Sequence, residues 1–87
     1  MKVLELVRGG TLAVLEVNGE HVVVLSSLSS PPGSPLEAKL DGSTLRIKVR
    51  GCRQVSPDEA GRTFRIEGRL VSLTREQREA LGAAGRG

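Results

Sequence analysis

Two stretches of the chain alternate apolar and polar residues with a period of two. They are Leu36-Glu37-Ala38-Lys39-Leu40 and Leu45-Arg46-Ile47-Lys48-Val49-Arg50. Successive strand side chains point to opposite faces, so this period predicts strands buried on one side only. Lys2 to Val7 reads as a strand closing on Gly9-Gly10, and Thr11 to Val17 as the next, closing on Asn18-Gly19. Both dipeptides supply the positive φ that a tight hairpin needs. Glu20 to Leu25 is the returning strand, and its Val22-Val23-Val24 run implies burial on both faces or a central place in the sheet.

Residues 26–35 hold three of the four prolines and five serines, so they form a loop, one that crosses between two parts of a barrel. Asp41-Gly42 turns the chain between the two alternating stretches. Gly51 breaks the second of them, as at a bulge, because Cys52 and Val55 no longer keep its parity. Residues 56–62 form another loop. Phe64 to Leu70 is the last strand, with Phe64, Ile66, Gly68 and Leu70 on the core face. Thr74-Arg75-Glu76-Gln77 is a capping box and opens a short helix reaching about Gly82, with Ala80 and Leu81 as its core contacts.

Six strands with turn signals every 6 to 12 residues, followed by one short helix, predict an all-β fold. We expect a small six-stranded antiparallel barrel with a short C-terminal helix. It is one domain over residues 1–84, with 85–87 a loose tail. The chain has 87 residues and a small aliphatic core, so a homodimer or partner contact would help cover what is left.

Composition removes several functions. One Phe and no Trp or Tyr leave almost nothing for stacking bases or sugars. One Cys and one His leave no metal set and no disulfide. No apolar run is long enough to span a membrane, and Glu5 interrupts any leader-like start, so a bacterial-type cytoplasmic setting is expected. His21, at a hairpin end, reads as a surface residue, and Cys52 as a small buried hydrophobe. Asp58-Glu59 reads as a solvated loop pair without a partner. No catalytic residue is assigned.

Charge changes the picture more. The chain carries a net +3, unevenly: three bases face five acids through residue 44, and ten face five thereafter. The outward positions Arg46, Lys48 and Arg50, together with Arg65 and Arg69, would form one cationic stripe if their strands pair. Glu67 breaks it, and Arg53 and Arg62 lie near it. Such a face can take phosphates. Cross-strand Arg–Glu pairing on a solvated wall explains it more simply, and nucleic acid is disfavoured as a partner.

The order of features from Val22 to Leu81 resembles a PilZ domain, a small bacterial β-barrel with a terminal helix. The matching pieces are Val24-Leu25-Ser26-Ser27-Leu28-Ser29, then Pro32-Gly33-Ser34-Pro35-Leu36, then the stretch from Gly61 to Leu81 with Leu73, Thr74 and Arg78 at the step into the helix. The resemblance implies cyclic di-GMP binding through an R-x-x-x-R motif and a [D/N]-x-S-x-x-G motif. The first is absent, with only Lys2 and Arg8 in its region. The second falls on 27–32, where Ser29 matches, Ser27 replaces the acid or amide, and Gly33 comes one residue late. Each lost charge-assisted contact removes about 1.5 to 3 kcal/mol. The resemblance therefore implies a degenerate, non-enzymatic adaptor that meets a protein partner through its sheet surface or an edge strand, in motility or second-messenger signalling. The alternative within the family is a cyclic di-GMP receptor using Arg8, Ser27, Ser29 and Gly33.

Overall fold

The computed structural model describes residues 2–40, 42–71, 74–77 and 79. Six strands follow one another: β1 (Lys2–Leu6), β2 (Thr11–Asn18), β3 (His21–Ser26), β4 (Pro35–Leu40), β5 (Ser43–Gln54) and β6 (Phe64–Val71). All neighbours are antiparallel, and the sheet closes into a barrel in the order β1-β2-β3-β6-β5-β4. The expected barrel is present, and so is the short C-terminal helix, helical at residues 75–77 and 79. Closure removes the edge strand expected as one docking mode, because each described strand has a neighbour on both sides. The expected tail at 85–87, the helix end near Gly82 with Ala80 and Leu81, and Asp41 lie outside the described residues.

Antiparallel order places three of the five connections at one end of the barrel and two at the other. The β1–β2 turn, the 27–34 loop and the 55–63 loop meet at one end. At the other lie the Asn18-Gly19 turn, the β4–β5 turn and the C-terminal helix. The serine-proline loop crosses the first end because β3 and β4 are not neighbours, as its composition suggested.

Inside the barrel, Leu4, Leu12, Val14, Val22, Val24, Leu36, Ala38, Leu40, Leu45, Ile47, Val49, Ile66 and Leu70 form one buried cluster, with Phe64 and Cys52 packed partly against it. Burying each larger aliphatic side chain is worth about 1.5 to 3 kcal/mol, so the alternating strands supply most of the driving force. Gly68 lies on the interior face between Val22 and Val49. A Cβ there would stand 2.6 Å from both Ile47 Cγ2 and the Lys48 carbonyl oxygen, so β5 and β6 approach closely because Gly68 has no side chain.

Two bulges set which residues face out. The register of β2 against β3 slips between Val14 and Glu16, which pushes Leu15 outward to 43% exposure and returns Val17 to the inner side. That slip was not anticipated, because Leu-Ala-Val-Leu contains no polar residue to mark the change of parity. On β5 the slip falls between Val49 and Gly51, at Arg50, beside the glycine where a break was expected. Beyond it β5 runs on to Gln54, four residues past the expected end. Val22, Val23 and Val24 are all buried, with Val23 on the outer wall opposite Glu16 and Glu67.

Candidate functional site

At the loop end, the serine hydroxyls are turned into the structure. Ser26 Oγ accepts from Leu28 N (3.0 Å), and Ser27 Oγ accepts from Thr11 N (3.0 Å). Gly10, at φ +88°, lies against Ser27, and a Cβ on it would run into that hydroxyl. Ser34 Oγ donates to the Pro31 carbonyl (2.7 Å), so its contact with Ser30 Oγ (2.9 Å) is donated by Ser30. Gly33 N donates to the Val49 carbonyl (2.9 Å), which pins the loop to β5.

Of the four residues assigned to a dinucleotide site, Ser27 is therefore engaged with β2 and Gly33 with β5. Ser29 is exposed, and Arg8 is exposed on the β1–β2 turn. Arg8 lines a cleft of about 130 Å³ with Leu28, Ser34 and Glu37. The cleft is not lined by Ser27, Ser29 or Gly33, and Arg8 is its one cation.

Close by, the 55–63 loop is held by a charged pair that the sequence did not reveal. Asp58 Oδ2 accepts from Arg62 Nε at 2.6 Å, and Oδ1 accepts from Ala60 N (3.0 Å) and Arg62 N (2.9 Å). Arg62 is 7% exposed and also donates to Thr11 Oγ1 (3.2 Å). Arg62 is therefore not part of the cationic wall, and Asp58 is not an unpartnered loop acid. Burial by itself would raise the Asp58 carboxyl. The hydrogen bonds from Arg62 and Ala60, with the Arg62 charge, outweigh that and hold the group below the ordinary carboxylate range.

The outer wall of β5 and β6 gathers the six basic residues singled out above. Lys48 lies opposite Arg69, and Arg53 opposite Arg65. The bulge at Arg50 brings Arg53 to the outside: without the extra residue, alternation would send it inward and Cys52 outward. Instead Cys52 takes the interior row beside Ile66, half-buried.

Three of the six cations already hold carboxylates. Arg65 donates to Glu67 Oε1 (2.6 Å), Arg69 Nε to Glu20 Oε2 (2.6 Å), and Arg46 pairs with Glu37 at 3.6 Å. Lys48, Arg50 and Arg53 make no ion pair among the described residues. Two shallow clefts flank the bulge. One, of about 350 Å³, is lined by Gly51, Cys52, Arg53, Arg65 and Glu67; the other, of about 200 Å³, by Glu20, His21, Arg50, Gly68 and Arg69. His21 is exposed at the strand end, and it lies on the opposite face of the sheet from Cys52.

Among the described residues, no group of three or more His, Cys, Asp or Glu is placed to hold a metal ion, and no helix is long and apolar enough to cross a membrane. Comparison with protein-family models, curated proteins and solved structures finds no match for the chain.

Proposed function

We propose that this chain is a PilZ-like, non-enzymatic adaptor that acts through a protein partner, in a bacterial cytoplasmic signalling or motility system. The observation that carries the proposal is the solitary Arg8. The cleft beside the serine loop offers one guanidinium and one carboxylate, Glu37, where a ligand with two phosphates calls for converging cations. Ser27, which stands at the acid-or-amide position of the family motif, spends its hydroxyl on Thr11. The basic residues of β5 and β6 line the β5–β6 wall and not that cleft, and a broad wall suits a macromolecular surface better than a small molecule.

The test is calorimetric titration of the purified protein with cyclic di-GMP. The adaptor reading expects no saturable heat at micromolar ligand. Saturable binding there would replace it with the receptor reading.

A further inference from the structure

Resting on the adaptor reading, we infer that the β5–β6 wall is the partner surface and that it takes an extended acidic peptide segment. The chemistry of the wall is already displayed on it. Arg65, Arg69 and Arg46 each hold a carboxylate supplied by this chain, Glu67, Glu20 and Glu37, so the guanidinium groups are set out at carboxylate-binding geometry. Lys48, Arg50 and Arg53 have the same outward placement and no such carboxylate among the described residues.

They lie on one strand opposite Arg69 to Arg65, four residue steps once the bulge is counted, or about 13 Å at roughly 3.3 Å of rise per residue, which is the span of about five residues of an extended peptide. The Arg53–Arg65 pairing supports a role outside folding. Like charges directly opposite on a sheet are unfavourable, and the bulge that creates this juxtaposition leaves an open cleft beside it. Gly51 lines that cleft, and the space beside it is open, since a Cβ there would meet nothing within 4 Å.

An acidic peptide fits this wall better than a nucleic-acid backbone. Glu20, Glu37 and Glu67 are interleaved with the cations and would repel a continuous run of phosphates. A peptide can place carboxylates on the three open cations and neutral residues against the three acids. The chain's one aromatic side chain, Phe64, packs against the core and does not stand on this wall to stack bases.

The probe is a fluorescein-labelled peptide of five Glu-Ser repeats, followed by anisotropy at about 0.15 M salt, with an oligothymidylate of equal charge beside it. The protein should bind the peptide saturably and more tightly than the oligonucleotide. Replacing Lys48, Arg50 and Arg53 together by Gln should weaken it by about fivefold to a hundredfold, taking each exposed pair at a few tenths to about 1 kcal/mol. Glu67→Gln, which frees Arg65, should tighten it about two- to threefold on the same scale. Arg8→Gln with Lys39→Gln removes charge elsewhere and should change affinity by less than about twofold.

Absence of saturable peptide binding, equal weakening by the Arg8/Lys39 variant, or tighter binding of the oligonucleotide would each overturn the inference. Thermal melts establish that the variants fold, and the Glu67→Gln gain gives a readout should the triple variant not. A silent peptide with a silent cyclic di-GMP titration removes this surface and leaves the adaptor reading in place. Dinucleotide binding removes the adaptor reading itself.

Discussion

Gln77 reaches across 34 positions to Ser43, donating from Nε2 to the hydroxyl at 2.8 Å and also to the Thr44 carbonyl at 3.1 Å. Its Oε1 meanwhile accepts from Thr74 N (3.1 Å), and Thr74 Oγ1 accepts from Gln77 N (3.1 Å), so one buried side chain both caps the helix and ties it to the β4–β5 turn. The two roles separate by mutation. Thr74→Ala should cost about 1 kcal/mol, the usual loss of a cap. Gln77→Leu should cost more, about 2 to 3 kcal/mol, because the Ser43 hydroxyl, the Thr44 carbonyl and Thr74 N each lose a hydrogen bond at once. Gln77→Glu, which keeps the cap acceptor and drops the donor, should fall between. Urea denaturation of the three variants checks the order.

The two glycines inside strands should respond differently to the same change. Gly68→Ala puts a methyl 2.6 Å from Ile47 Cγ2 and from the Lys48 carbonyl, and should destabilise by about 1 to 3 kcal/mol, as overpacking does. Trimming Ile47 should not rescue it, since the second obstacle is main chain. Gly51→Ala meets open space, lacks a positive φ, and should be close to neutral. Equal costs in denaturant melts would contradict the close approach of β5 and β6.

Acid should loosen the loop end first. The Asp58 carboxyl titrates below its unfolded value, taken as about 3.9. Its contribution to stability is therefore fully present above about pH 4 and is lost as pH falls through the depressed folded value. In Asp58→Asn the Arg62 guanidinium loses its anion, so stability at neutral pH should drop while the acid limb below about pH 4 becomes shallower. Thermal melts across that range, wild type against variant, show whether the limb flattens.

A stability gain should accompany loss of Arg53. Arg53→Gln relieves the apposition with Arg65 and should stabilise the barrel by a few tenths of a kcal/mol, more at low ionic strength than at high. A salt-independent loss of stability would mean that Arg53 is held by contacts within the fold.

The alternating strands could be read directly, because Leu36-Glu37-Ala38-Lys39-Leu40 and Phe64-Arg65-Ile66-Glu67 mark their faces residue by residue. The hairpins were equally legible, since Gly9, Gly10 and Gly19 do adopt the positive φ their turns require. Less of the candidate site could be read. Arg53 faces Arg65 only because of a one-residue slip at Arg50, and a glycine nearby hinted at the break without giving the parity beyond it. Arg62 looked like another surface base, but its burial depends on Asp58 and on Thr11, 51 positions away, which only loop closure brings together. The same holds for Gln77, whose local capping role is written in four consecutive residues while its anchor to Ser43 depends on the barrel.

Amide proton–nitrogen correlation spectra of the labelled protein, titrated separately with the acidic peptide and with cyclic di-GMP, test the central claim most directly. The peptide should shift resonances of Lys48 to Arg53 and Arg65 to Glu67, and the dinucleotide should leave Arg8, Ser27, Ser29 and Gly33 unmoved. Dinucleotide-induced shifts at Arg8 and through residues 27–33, with β5 and β6 silent toward the peptide, would contradict it.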